Sequence, residues 1–219
     1  MANFLEKELK ENNFNVKEIV PDLLLIEDYL HKEELDYILD LINKTPEDDW
    51  YIEYLSNLKR FCLEKFGRSD VDNLVAEGKF EITQGWEDKN LNISSDPIYK
   101  TIYTRLDKLV LEADNSLNLS GFATIQRMQT GVELKSHTDQ HTDPSIKYAA
   151  ILYLNDDYVN GELFFKNKDI SLRPKPGSLL IFPGNEEFEH GVKHVGEGPI
   201  RYVLVGFIKI TDFYENNKY

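Results

Sequence analysis

The chain has 219 residues, 41% of them apolar, with one cysteine and a formal net charge of −14. That length supports one sizeable core with a helical appendage, and acidic residues spread along the chain work against a nucleic-acid backbone or an anionic membrane surface as the main partner. The lone Cys62 excludes an internal disulfide and a thiolate metal cluster. No apolar run approaches a bilayer span, and the first residues lack the basic start and apolar run of a signal peptide. The expectation is a cytoplasmic protein with no membrane role.

In chain order, Leu23-Leu24-Leu25-Ile26 reads as a buried strand. From about His31 to Lys44, Leu35, Ile38, Leu39 and Ile42 recur at helical spacing on one face, and Pro46 closes the segment. A second helical pattern is read from about Asp48 to Phe66, with Trp50, Tyr54, Leu58 and Phe61 inward and Gly67 as its stop. Residues 69–95 carry no sustained period and read as loop, with a short strand at Lys79 to Thr83; Trp86 within it reads as loop packing or a lid. Asp96-Pro97 opens a further helix, a capping acid followed by proline at the first helical position, with Ile98, Ile102, Leu106, Leu109 and Val110 inward.

From Leu119 the pattern changes to short strands. Gly121–Met128, Lys147–Leu154, Glu162–Phe165, Ser178–Phe182 and Tyr202–Ile210 are punctuated by Asn155-Asp156-Asp157, Asn160-Gly161, Lys175-Pro176-Gly177 and Pro183-Gly184-Asn185. Regular short strands and turns indicate a sandwich or barrel. No glycine-rich linker separates the halves, so the chain reads as one α+β unit, with helices over about 1–118 buttressing a β core over about 119–211.

Four of the five histidines lie in that core: His137, His141, His190 and His194. His137-Thr138-Asp139 and His141-Thr142-Asp143 are two His-x-Asp triplets. A histidine and a carboxylate two residues apart on an extended chain share a face. With a distant histidine they make a 2-His-1-carboxylate set that leaves positions open on a non-haem Fe(II). On spacing alone either triplet qualifies, and so does a solvated loop.

The surrounding blocks resemble the Fe(II)/2-oxoglutarate-dependent dioxygenases of the prolyl 4-hydroxylase-like branch. They are Gly131 to Asp139, Tyr148 to Asp156 with its Tyr-Leu-Asn ending, Gly161 to Phe165, Pro174 to Phe182, and His190-Gly191-Val192 followed by Arg201-Tyr202. The resemblance covers about residues 120 to 210, in the family's order. It implies a double-stranded β-helix (jelly-roll) core with supporting N-terminal helices. It also implies a glycine six positions before the first ligand, which selects His137 and Asp139 over His141 and Asp143, and a distal ligand at His190 rather than His194. His141 and Asp143 then become a polar rim of the metal mouth.

The implied cofactors are Fe(II), 2-oxoglutarate, O2 and ascorbate, and the implied reaction is hydroxylation of a prolyl residue in a peptide or protein with release of succinate and CO2. Arg201, in an otherwise apolar strand, would hold the far carboxylate of 2-oxoglutarate. Met128 stands where relatives commonly place a tyrosine for that carboxylate, so Tyr148, Tyr153 and Gln126 are the candidates to supplement Arg201. A free amino acid, a small metabolite or a nucleobase are alternative substrates of the same chemistry. A catalytically silent jelly-roll module and a zinc hydrolase on the same ligands are the readings from other classes; neither needs a buried arginine.

Overall fold

The computed structural model describes residues 2–52 and 89–213. A first helix, α1 (Ala2–Glu11), precedes a hairpin of β1 (Asn15–Val20) and β2 (Leu23–Glu27), then α2 (Lys32–Lys44), a 3-10 turn at Glu47–Asp49 and the short β3 (Tyr51–Ile52). β4 (Lys89–Asn92) leads to α3 (Pro97–Ala113). Asp96 caps α3, its side chain accepting from the Ile98 N–H at 2.9 Å with proline at the first helical position. The rest is β5 (Leu117–Met128), β6 (Leu134–His137), a single helical turn α4 (Asp139–Thr142), β7 (Ile146–Tyr153), β8 (Leu163–Phe165), β9 (Ile170–Leu172), β10 (Leu179–Pro183), β11 (His190–Val192) and β12 (Arg201–Ile210).

The strands form two antiparallel sheets ordered β1-β2-β10-β7-β12-β5-β4-β3 and β6-β11-β8-β9. From β5 onward the chain passes between them in the sequence large, small, large, small, small, large, small, large. Eight strands thereby make two four-stranded layers, β5-β12-β7-β10 against β6-β11-β8-β9, which is the jelly-roll arrangement. β1 to β4 widen the larger layer at both edges.

Strand alternation divides the apolar residues between two cores. On β7, Tyr148, Ala150 and Leu152 face the helices, where Leu9, Ile38, Ile102 and Leu106 cover the larger sheet. Ala149, Ile151 and Tyr153 face the smaller sheet and pack among Phe165, Phe182, Phe188 and Val203. Among the described residues no helix is long and apolar enough to cross a membrane.

Two readings of the helical half change. The segment beginning at Asp48 is no helix where it is described: residues 47–49 form a 3-10 turn and 51–52 a strand. Trp50 is buried all the same, with Arg127 stacked 4.6 Å over its ring. Tyr54, Leu58, Phe61, Gly67, the strand at Lys79 to Thr83 and Trp86 lie outside the described residues. β4 falls at the end of the stretch read as loop: Leu91 packs on the helix-side core and Asn90 is buried, an alternation that polar neighbours on both sides obscure.

Candidate metal centre

β6 and β11 are antiparallel neighbours, and His137 and His190 are paired across them, so their imidazoles project to the same side. The pairing is close because residue 191 is glycine. A Cβ there would stand 2.4 Å from the Leu134 carbonyl oxygen and 2.8 Å from the Phe164 ring. After His137 the backbone stays extended for Thr138 (φ −118°, ψ 139°) and then turns into α4 at Asp139. The Gln140 N–H donates to the Gly184 carbonyl at 3.0 Å, and the Gln140 side chain donates to the Ile146 carbonyl at 2.9 Å. These bonds fix α4 against the end of β10 with Asp139 turned inward.

His137, Asp139 and His190 converge, one donor atom from each lying within 4.8 Å of the others. His137 Nε2 is 3.7 Å from Asp139 Oδ1, and His190 Nε2 is 3.9 Å from Asp139 Oδ2. Each imidazole has Nδ1 beside a backbone carbonyl, Lys135 O at 3.0 Å for His137 and Phe188 O at 3.1 Å for His190. A carbonyl only accepts, so both Nδ1 atoms carry the proton and both Nε2 lone pairs point to the shared centre.

Burial holds His190 neutral, pushing its pKa down to about 3, with the nearby His137 adding to the effect. Burial raises Asp139 to about 6, His137 opposing it. Asp139 Oδ2 accepts no hydrogen bond, which is costly for a buried carboxylate oxygen. A cation among the three donors satisfies it, and two imidazole nitrogens with one carboxylate on one face suit a non-haem Fe(II) with open positions.

The second triplet stands apart. His141 is exposed. Asp143, expected at the rim of the mouth, is engaged elsewhere: it accepts from the Ser145 N–H at 3.0 Å and hydroxyl at 2.6 Å and pairs with Lys209 at 3.0 Å. α4 separates the two copies by a helical turn, which the strand-based reading did not foresee. His194 is exposed just beyond β11.

Arg201 opens β12 opposite Met128 on β5 and is 2% exposed. Its guanidinium donates to the Met128 sulfur at 3.2 Å and lies 5.4 Å from the Tyr153 ring centroid and 5.8 Å from that of Tyr158. Among the described residues no carboxylate pairs with it, and its Nε has no partner. The Tyr153 hydroxyl is buried and faces the Arg201 guanidinium without completing a hydrogen bond of standard geometry. Burial raises the Tyr153 pKa to about 12, partly offset by Arg201. A buried cation beside an unused hydroxyl donor fits the far carboxylate of a dicarboxylic acid.

Tyr148 does not belong to this pocket. It lies on the helix side of β7, beside Leu5, Val110 and Leu117 in a small cavity. Tyr148 and Tyr153 are an odd number of residues apart on one strand and therefore face opposite ways, a signal present in the sequence. Gln126 is half-buried on the Met128 side of β5, opposite Val203 and Asn90, and no hydrogen bond ties it to Arg201. Two features had no sequence signal. Tyr158 lies in a loop, where no period applies. The Glu189 carboxylate accepts from Ser136 at 2.5 Å and Lys166 at 2.8 Å and so ties the two histidine strands together.

Residues 123–209 match the family described as the 2OG-Fe(II) oxygenase superfamily. This stretch belongs to that superfamily. It contains the eight-stranded core except for the start of β5 and the last residue of β12, all three converging donors and Arg201. Human prolyl 3-hydroxylase 2 is 41% identical over 56 positions, covering 23% of this chain and 8% of that protein, so the chain spans a small part of the curated relatives it matches. A Trichoplax adhaerens prolyl hydroxylase, solved with a hypoxia-inducible-factor peptide fragment, superposes with TM-score 0.67 at 14% identity over 100% of this chain and 93% of that one. The 2OG complex of a viral collagen prolyl hydroxylase from Paramecium Bursaria Chlorella virus-1 gives TM-score 0.57 at 13% identity, over 87% of this chain and 96% of that one. At such identities these two superpositions speak for the jelly-roll fold alone.

Proposed function

We propose that the chain is an Fe(II)- and 2-oxoglutarate-dependent dioxygenase that hydroxylates a prolyl residue in a peptide or protein, with ascorbate among its cofactors. One observation carries the reading: a single inter-sheet core holds both a compact His-Asp-His donor set and a buried arginine with no carboxylate partner among the described residues. A zinc hydrolase on the same donors has no use for that arginine, and a silent module has no use for either.

His137, Asp139 and His190 would hold the metal, and Arg201 with Tyr153 would receive the far carboxylate of 2-oxoglutarate. When bound, the metal and co-substrate supply the oxidation, with release of succinate and CO2. The protein keeps both Nε2 lone pairs free through the Nδ1 hydrogen bonds and orients the co-substrate by a charge-assisted bond at its far end. The apolar ring of Phe165, Phe182 and Phe188 keeps water from the reacting centre. No side-chain acid or base is required.

The prolyl substrate is supported by the local identity to prolyl 3-hydroxylase 2 and by the peptide held in the Trichoplax structure. An anaerobic titration with Fe(II) and 2-oxoglutarate, followed by succinate measurement on admitting oxygen, tests the chemistry. The expected result is a charge-transfer band and succinate; the absence of both sinks the reading. A proline-containing peptide library, read by the mass gain of one oxygen atom, tests the substrate class.

A further inference from the structure

The Nδ1 hydrogen bonds set how the two imidazoles are turned, but not how far apart their strands hold them. His190 is well fixed, because β11 pairs with β8 in unbroken register over all three of its residues. His137 is held less regularly. β6 is the edge strand of the smaller sheet, and its pairing with β11 slips between His137–His190 and Leu134–Val192. Three residue steps on β6 there face two on β11, a bulge that leaves one residue outside the ladder. The slack falls directly before the ligand, at Lys135 and Ser136.

Side chains take up what the ladder loses. The Ser136 hydroxyl donates to Glu189 Oε1 at 2.5 Å. Lys166, which follows β8, donates to the same carboxylate at 2.8 and 3.1 Å, and its N–H donates to the Glu189 carbonyl at 2.9 Å. Glu189 is thus anchored beside β8 by main chain and side chain alike before it reaches across to β6. Ser136 and Glu189 each stand immediately before one of the two histidines. Glu189 is outside the group of converging donors, and the Lys166 side chain is 58% exposed. An ion pair at such a surface adds little to stability. A short hydroxyl–carboxylate bond at a bulge does, however, fix where the next residue points.

We infer that Ser136 and Glu189 are positioning residues for the metal centre. Their bond closes the bulge of β6 and sets the separation of His137 from His190. The inference rests on the donor-set reading above.

The test is Co(II) titration of the full metal-free chain, read by calorimetry and by the visible absorption of the bound ion, whose bands respond to the placement of its donors. Ser136→Ala and Glu189→Ala are each expected to weaken Co(II) about tenfold and to shift those bands. The double variant should lose no more than either single one, because each alone already breaks the same bond. Glu189→Gln keeps an acceptor for the hydroxyl and should stay within about threefold of the wild type. A merely structural role would lower the melting temperature of the metal-free variants and leave affinity and bands as they were well below the transition. That result overturns the inference, as do losses that add in the double variant, or a loss in Glu189→Gln equal to that in Glu189→Ala. Failure of the wild-type protein to bind Co(II) defeats the donor-set reading instead, and the two failures are thereby distinct.

Discussion

Two arginines on opposite sides of the larger sheet, Arg105 half-buried and Arg201 buried, have opposite surroundings. On the helix side, Arg105 of α3 forms a two-pronged ion pair with Glu34 of α2 and donates to the Tyr29 carbonyl at 2.8 Å. On the barrel side, Arg201 has a thioether and two aromatic rings. The first guanidinium locks two helices together and is complete as it stands. The second is complete only with an anion from outside the chain. Asp139 repeats the contrast with the sign reversed, a buried carboxylate oxygen with no donor. Arg201 and Asp139 thus leave an electrostatic demand between the sheets, whereas Arg105 on the helix face is paired within the chain.

The sharpest way to break that contrast is at the donor set. His137→Ala or His190→Ala should lower succinate formation roughly a hundredfold or more, whereas His141→Ala should stay within about twofold. Activity lost with His141 and kept without His137 would reverse the assignment. Next come the two arginines. Arg105→Met should destabilise the protein by roughly 2–3 kcal/mol, because Glu34 loses its partner. Arg201→Met should instead stabilise the metal-free protein by about 1–2 kcal/mol and weaken 2-oxoglutarate about a hundredfold. Chemical denaturation beside calorimetric titration reads both, and equal signs for the two stabilities would abolish the distinction.

Smaller effects come from titration of the donor set in the metal-free protein. Asp139 is raised in the fold to about 6, above its unfolded value near 4. It therefore favours the fold below that unfolded value, and the benefit is lost as pH rises through 6. Asp139→Asn should match the wild type near pH 4 and exceed it by roughly 1–3 kcal/mol at pH 7; added Mn(II) should then stabilise the wild type alone. His190 runs the other way. Its folded pKa of about 3 lies below the unfolded value, so its contribution is full above about 6.5 and declines as pH falls toward 3. His190→Gln should show less acid destabilisation over that window, measured as melting temperature against pH.

Much of this was legible in the sequence for definite reasons. The strand punctuation from Leu119 onward marked five of the eight core strands, and Asp96-Pro97 marked the start of α3. The spacing of the glycine turn, His137 and the Tyr-Leu-Asn strand pointed to residues that the fold brings together. β6, β9 and β11 were too short for a period to register, three or four residues each. β1 and β4 carry polar side chains on both faces and so lack the alternation of a half-buried strand. At the site, alternation along β7 was enough to separate Tyr153 from Tyr148. Tyr158 escaped because its direction is set by a loop and by Gly161, and Glu189 because its bonds cross between strands distant in sequence.

Each imidazole of the donor set is steered by the carbonyl two residues before it on its own chain segment, Lys135 for His137 and Phe188 for His190. A peptide carbonyl is present whatever side chain its residue carries. The orientation of both rings is therefore written in main-chain geometry, and the exposed side chain at position 135 can vary widely without turning the His137 lone pair away. Substrate preference can drift around such a centre while the centre itself keeps its aim.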